Sequence, residues 1–373
     1  MKLINGGGGK VKYALIGCGR IAVNHIKAVV NNNLDVVALC DVDKSHIDIL
    51  LEKTSFDLKR KDGSTTLIYE DYKKMLEENP DIELIAIATD SGVHAEIAKY
   101  CIKKNINVII EKPMAMSIGD CDEIIKLANE HKVKVSVCHQ NRFNLAIQEM
   151  RKALEHGRFG KISHGSINVR WNRNKDYYDQ ASWRGKWASD GGCLFNQCIH
   201  GIDLLRWMMG DEVEEVYGVT KRQFHDYIEC EDIGMAVVRF KNGAIGTIEG
   251  TVNVFKENLE ETLYLFGEKG TCKIGGKSTN NIDFWNFADA SENDDKNKNL
   301  QEQTSNVYGN GHTSLYADVI DAIKNNRSPY IDTTAGRNAV EMILAIYQSS
   351  FTGKPVKLPL TNVSSIDFEG KFN

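Results

Sequence analysis

The sequence predicts an α/β protein of two domains, a doubly wound parallel sheet over residues 1–138 and a largely antiparallel α+β domain over residues 139–373. Three observations predict it. A chain of 373 residues exceeds what one hydrophobic core usually organises. The apolar runs of the first third are short and continuous rather than alternating, which marks strands buried on both faces. After about residue 140, strands follow one another through turn signals instead of helices.

In order, residues 11–16 form an apolar run broken by Gly17 and Gly19, and a helical pattern follows through Val30. The next runs are 34–40, ending at Asp41, then 84–88, 106–110 and 133–138, with helical stretches such as 94–104 and 120–131 between them. Right-handed crossovers turn such βαβ units into a doubly wound sheet. Strands are then expected at 162–171, 233–240 and 244–251, the last two joined by Asn242-Gly243, a strong hairpin signal. Residues 263–266 and 271–274, separated by Gly267 to Gly270, read as another hairpin, and helices are expected at 144–156, 197–209, 315–325 and 335–351. Residues 289–306, rich in Asn, Asp, Glu, Lys and Gln, are expected to form a mobile surface loop.

Lys+Arg 46 against Asp+Glu 51 leaves a net charge of −5, with 42% hydrophobic and 26% charged residues. That balance argues against a disordered tail, a collagen-like chain and a generally basic nucleic-acid binder. No apolar run approaches membrane-spanning length, and the first residues lack the apolar core of a secretory signal. Nine cysteines, an odd number without a CxxC pair, fit reduced thiols better than a disulfide framework. The expectation is a cytoplasmic protein with neither membrane nor nucleic acid as partner.

Gly17-Cys18-Gly19-Arg20-Ile21-Ala22 is a GxGxxA set that follows a predicted strand and opens a helix. Gly17 permits the tight turn, Gly19 lets the backbone approach a pyrophosphate, and Ala22 keeps helix and strand close, while the helix N-terminus offers amides to the anion. Asp41, at the end of the second strand, can accept hydrogen bonds from both ribose hydroxyls, and its charge would repel a 2′-phosphate, which favours NAD over NADP. The run Gly6-Gly7-Gly8-Gly9-Lys10 superficially suggests a phosphate loop, but Val11 stands where Ser or Thr is needed, so it reads as a flexible leader. Thr89, Asp90, Ser91 and His94 lie at the carboxyl end of the run 84–88, where open α/β sheets bind ligands. Helix capping by Thr89 and Ser91 is the plainer reading, and both can hold. Lys112, in Glu111-Lys112-Pro113, lies where a nicotinamide would sit, and burial would lower its pKa toward acid–base or electrostatic work. By itself it would read as a solvated loop charge.

Residues 190–203 begin in a glycine-rich turn and continue into an apolar helix. Asn196 and His200, four apart, would share one face, and Asp203, three further on, could orient the imidazole. A satisfied core histidine is the bland alternative. A metal site from Cys193, Cys198 and His200 lacks close ligand pairs and a fourth ligand, so no metal is expected. Just upstream, Tyr177, Tyr178, Trp183, Arg184 and Trp187 crowd a short segment suited to stacking on a sugar or base and pairing with phosphate or carboxylate, or else to packing as a loop rim.

In this order and spacing, the GxGxxA, Glu-Lys-Pro and DGGxLxNxxxHxxD sets resemble the Gfo/Idh/MocA oxidoreductases over nearly the whole chain. The resemblance implies an N-terminal Rossmann domain and a C-terminal α+β domain. The large open, mainly antiparallel sheet of the latter would form one wall of the active site and often an oligomer interface, so a homo-oligomer, dimer or tetramer, is expected. It implies that Lys112 and His200 flank the reacting carbon, and that Gly17, Gly19, Asp41, Thr89, His94, Glu111 and Asn141 contact the dinucleotide. Arg20, Ile21, Asp90, Ser91, Lys112, Trp183 and Arg184 are counted with the same contact. Tyr177-Tyr178-Asp179-Gln180, Trp183-Arg184-Gly185, Asn258-Leu259-Glu260, Gly267-Glu268-Lys269-Gly270-Thr271 and Tyr308-Gly309-Asn310-Gly311-His312 look like one branch of the family. That branch oxidises UDP-N-acetylglucosaminuronic acid at the 3-hydroxyl for surface-polysaccharide synthesis. Two positions depart from the wider pattern: Asn196 stands where much of the family has Asp, and Asp90 where relatives commonly have Pro. An amide cannot raise the pKa of His200 by ion pairing, but it can orient the substrate or the imidazole.

The expected reaction is hydride transfer between a secondary alcohol of a sugar or nucleotide sugar and NAD. His200 would be the general base, Lys112 would bond the same oxygen, and Asn196 would hold a neighbouring hydroxyl. Arg173 and Arg184 are candidates for the sugar carboxylate or a diphosphate, and Tyr178 for sugar contact. The alternatives are an inositol or other free-sugar dehydrogenase, elimination with retained NAD, and a non-catalytic NAD-responsive binding protein. The presence of both Lys112 and His200 argues against the last.

Overall fold

The computed structural model describes residues 10–210, 212–292, 294–303 and 309–372. The glycines before Lys10, read as a leader, and Tyr308 of the branch motif lie outside the described residues. The chain divides into two compact units: residues up to Ala115 with Asp120–Cys138 and His312–Gly336, and Met116–Gly119 with His139–Gly311 and the residues from Arg337 onward.

The first unit holds six strands, β1 (Lys12–Ile16), β2 (Asp35–Cys40), β3 (Leu67–Tyr69), β4 (Leu84–Ile87), β5 (Asn107–Ile110) and β6 (Val135–Val137). They pair in the order β3-β2-β1-β4-β5-β6, all parallel. Every residue of β4 is buried, as continuous apolar runs require when helices cover both faces. Strand order reverses between β1 and β4, the switch point at which doubly wound sheets bind ligands. Ile16 lies opposite both Cys40 and Ile87, and Ile87 opposite Ile110. The register therefore aligns the residues that follow, Gly17, Asp41, Ala88 and Glu111, along one edge. Edge strand β3 escaped sequence reading because none of its three residues is buried, so it carries no apolar run.

The segment His312–Gly336 returns to this unit from far along the chain. The Tyr316 hydroxyl lies 2.9 Å from that of Tyr13, and Ser136 Oγ donates to the Ile331 carbonyl at 2.7 Å.

The second unit carries β7 (Ile162–Arg170), β8 (Val213–Lys221), β9 (Ile233–Phe240), β10 (Ile245–Thr251), β11 (Glu260–Gly267), β12 (Gly270–Gly275), β13 (Asn281–Phe287) and β14 (Val356–Lys357). Their order is β13-β12-β11-β7-β10-β9-β8-β14. Only the β7–β10 pair is parallel. Residues of β8 and β9 alternate buried and exposed, so one face meets the core while the other shows Tyr217, Val219, Met235 and Val237.

The described part of residues 289–306 is pinned rather than free. Arg158 binds Asp289 and Asp294, Trp285 Nε1 donates to Asp294 at 2.7 Å, and Ile282 N donates to the Leu300 carbonyl at 3.0 Å. Its acidic residues looked solvated because their cation lies far upstream. All nine cysteines are buried and unbridged. Among the described residues, no helix is long and apolar enough to cross a membrane.

Candidate active site

In the first unit, the candidate site residues lie on the aligned strand ends. Gly17 has φ +91°, and an added Cβ would lie 2.5 Å from the Ala88 carbonyl carbon, so the neighbouring strand itself demands glycine. At Gly19 an added Cβ would meet no described atom within 4 Å. The described fold thus sets no need for glycine there, and the space beside its backbone is open. The helix Ala22–Asn31 starts directly behind, with Ala22 fully buried, Ile21 at its cap and Arg20 exposed before it. Asp41 braces the loop: Oδ2 accepts the Cys18 amide at 2.7 Å, while Oδ1 accepts the Asp43 amide at 3.0 Å and faces His46 Nδ1 at 3.1 Å.

At the end of β4, Asp90 caps the short turn Ser91–Val93 by accepting from Gly92 N at 3.2 Å. Capping by Thr89 and Ser91, one of the two readings the sequence allows, does not occur here: Thr89 Oγ1 donates to the Asp90 carbonyl at 3.2 Å, and Ser91 is buried. His94 is buried, its ring nitrogens 2.8 Å from the Pro113 carbonyl and 3.1 Å from that of Thr89. Burial lowers its pKa, and a neutral imidazole donates only once, so the shorter Pro113 bond is the one made. Glu111, also buried, accepts at Oε1 from His25 Nε2 and His312 Nε2, each at 3.1 Å, and at Oε2 from the Lys112 amide at 3.1 Å. Burial pushes this carboxyl up, and the two histidine bonds more than reverse it, holding Glu111 well below the usual carboxylate range.

In the second unit, the candidate site residues begin at the turn Asp190-Gly191-Gly192. Both glycines have positive φ, and a Cβ on Gly192 would lie 1.6 Å from Glu231 Oε2. The chain then makes a π-helical turn, Leu194–Cys198, before the α-helix Ile199–Met209. The uninterrupted α-helix expected over 197–209 is therefore corrected; such widened turns occur often at functional sites. Asn196 Nδ2 donates to Asp190 Oδ1, and Asp190 Oδ2 accepts the Gly185 amide at 2.7 Å. His200 is 6% exposed, its ring edge-on to His139 at 6.0 Å. Asp203 does not orient it. Both Asp203 oxygens take Arg142, at 2.7 and 2.6 Å, in a buried bidentate pair. Asn141 is buried in the turn beside that arginine.

The aromatic segment separates into core and rim. Trp187 is fully buried, with Nε1 on the Glu229 carbonyl. Tyr178 is buried against Tyr177, His225 and Tyr227. Two guanidiniums lie over the Tyr177 ring, Arg184 at 4.1 Å and Arg173 at 4.9 Å, and each also lies over a tryptophan, Trp183 at 4.7 Å and Trp171 at 5.0 Å. The Nε atoms of both arginines are buried, with no hydrogen-bond partner among the described residues.

Two family models match the chain: the oxidoreductase family NAD-binding Rossmann fold over residues 11–139, and the oxidoreductase family C-terminal alpha/beta domain over residues 151–358. The chain belongs to the Gfo/Idh/MocA oxidoreductase family. Among solved structures it resembles the WlbA dehydrogenase of Bordetella pertussis in complex with NADH and UDP-GlcNAcA. The identity is 34%, covering 95% of this chain and 100% of that one, at a TM-score of 0.83. The WlbA dehydrogenase of Chromobacterium violaceum, in complex with the same pair, is 33% identical, covering 97% and 100% at a TM-score of 0.85. Among curated relatives, the myo-inositol 2-dehydrogenase of Thermotoga maritima is 25% identical over 265 residues, 70% of this chain and 74% of that protein. The protein is thus an NAD-dependent oxidoreductase of the Gfo/Idh/MocA family.

The partners of Glu111 were missed from the sequence. His25 lies in the helix behind the glycine loop and His312 two hundred residues downstream, so no local spacing links them. The glycine-histidine pair at 311–312, noted only as a branch feature, was the available signal. These two histidines, Glu111 and Cys138 are all buried, with donor atoms within 4.8 Å of one another.

Proposed function

We propose that this enzyme oxidises the 3-hydroxyl of UDP-N-acetylglucosaminuronic acid, supplying a 3-keto sugar for surface-polysaccharide synthesis. The observation that carries the reading is the pair of guanidiniums, Arg173 and Arg184, over the Tyr177 ring. Half-buried cations on an aromatic platform suit a substrate with a carboxylate or diphosphate, whereas an uncharged polyol offers them no opposite charge. The likeness to two dehydrogenases solved with NADH and UDP-GlcNAcA supports it.

NAD would be held by the turn at Gly17, the clear approach over Gly19 and the carboxylate of Asp41. When bound, it accepts the hydride leaving the carbinol carbon. His200 takes the hydroxyl proton, and Lys112 donates a hydrogen bond to the same oxygen as alkoxide character develops. With its amide nitrogen on Asp190, Asn196 would meet a neighbouring sugar hydroxyl as an acceptor. The reading requires that the Lys112 ammonium and the His200 imidazole reach one carbinol.

The test supplies NAD with UDP-N-acetylglucosaminuronic acid, inositol isomers and free hexoses separately, and follows absorbance of reduced nicotinamide. Reduction is expected with the UDP-sugar acid alone; equal reduction with inositol would sink the assignment. Lys112→Ala and His200→Asn should each lower kcat by about 100-fold or more while NAD binding persists. Full turnover in either variant would remove that residue from the chemistry.

A further inference from the structure

Glu111 is the centre of a buried chain whose protons can all be placed. Tyr13 and Tyr316 hydroxyls lie 2.9 Å apart, Tyr316 reaches His25 Nδ1 at 2.6 Å, and His25 Nε2 reaches Glu111 Oε1 at 3.1 Å. His312 Nε2 meets the same oxygen, and the Lys112 amide takes Oε2. An ionised carboxylate only accepts, so both Nε2 atoms carry protons. Were His25 doubly protonated, its Nδ1 would donate to Tyr316, Tyr316 to Tyr13, and the fully buried Tyr13 proton would have no acceptor among the described residues. The opposite direction, from Tyr13 to Tyr316 to His25 Nδ1, leaves no donor stranded. His25 is therefore neutral with its proton on Nε2, and Glu111 holds the charge. Burial lowers the pKa of His25, in the same sense.

We propose that His25 and His312 are positioning residues that act on Lys112 through Glu111. Two imidazole N–H groups fix the carboxylate at Oε1, and its other oxygen fixes the main chain at Lys112, one residue away. The inference rests on the reading that Lys112 serves the reaction. Substitution at either histidine should then disturb turnover more than cofactor binding, because the dinucleotide loop at Gly17 and Asp41 has its own bracing.

The experiment has two arms, so that failure of the substrate reading and failure of this one are distinguishable. The first needs no substrate: nitrogen NMR of histidine-labelled enzyme as isolated, with its metal content measured. The expected result is a His25 signal protonated at Nε2 alone and unchanged from pH 6 to pH 8. The titratable groups facing it are Glu111, His312, Cys138, Tyr13 and Tyr316. Protonation at Nδ1, or stoichiometric divalent metal on His25, Glu111, Cys138 and His312, would overturn the proposal. The second arm is kinetic. His312→Leu should lower kcat about 30-fold with KM for NAD within about twofold, and His312→Gln, whose amide nitrogen can donate in place of Nε2, should recover to within about threefold of the parent. Equal losses in the two variants, or a loss seen mainly in KM for NAD, would reduce both histidines to packing.

Discussion

Buried carboxyl groups are treated in opposite ways in the two units. In the first, Glu111 sits among two imidazoles and a backbone amide and stays ionised. In the second, Glu231 and Glu261 are both fully buried, and burial raises the pKa of each. Exposure does not separate them. Donors do: three N–H groups converge on Glu111, one reaches Glu231, and neither oxygen of Glu261 has a hydrogen-bond partner among the described residues. A carboxylate deep in a protein stays charged only where converging donors replace its water. The ionised one lies beside Lys112, on the strand edge where the cofactor is read to bind.

The same conservative change, Glu to Gln, should therefore have three different outcomes. The largest is expected at Glu261, whose pKa is pushed up to about 8 by burial alone. Above roughly pH 4.5 the unfolded chain releases this proton while the native protein keeps it, so stability falls as pH rises, until the folded pKa is passed. At its steepest the loss is about 1.4 kcal/mol per pH unit, accumulating to about 4 kcal/mol by pH 8. Glu261→Gln removes this drift. Urea unfolding should find variant and parent within about 1 kcal/mol at pH 5, with the variant clearly the more stable at pH 8.5. Parallel pH profiles would mean that Glu261 is ionised in the native protein.

At Glu111 the sign reverses. A glutamine there must aim its amide either at two imidazole N–H groups or at the Lys112 amide, and either way donor faces donor. Glu111→Gln should lower stability by about 2–3 kcal/mol at pH 7. Because the folded pKa is depressed, the parent's advantage exists above the unfolded carboxylate pKa and fades as pH falls below it. Unfolding at pH 7 and pH 3.5 checks both points. A variant as stable as the parent at pH 7 would place a proton on Glu111.

The contrast also shows which features could be read in advance. Strands β1, β2, β4 and β5 were legible because continuous apolar runs record burial residue by residue, and the GxGxxA turn because its demands are local. Lys112, Asn196 and His200 were put forward from motif spacing. What could not be read was pairing across long separations. Asp203 looked like a partner for His200 three residues away, whereas Arg142, sixty-one residues away, holds it with two hydrogen bonds. Gly192 looked like part of a glycine-rich turn, whereas Glu231 fills the place of its side chain. Periodicity reports which face is buried and says nothing about which charge waits there.

At Glu231 a loss smaller than that at Glu111 is expected, and it tests the neutral acid directly. The Tyr347 hydroxyl lies 2.8 Å from both the Gly191 carbonyl and Glu231 Oε1, and it has one proton to give. A carboxylic acid protonated at Oε1 resolves the conflict: Glu231 donates to Tyr347, Tyr347 donates to Gly191, and Oε1 still accepts the Leu194 amide at 2.8 Å. Glutamine cannot donate and accept through one atom, so Glu231→Gln forfeits a single hydrogen bond. The cost should be about 1 kcal/mol at pH 5, a pH at which Glu261→Gln, with no bond to lose, costs less. As pH rises the balance should turn in favour of the variant, since the parent must keep its proton while the unfolded chain does not. A loss at pH 5 as large as that of Glu111→Gln at pH 7 would show a carboxylate at Glu231 and remove the distinction between the two units.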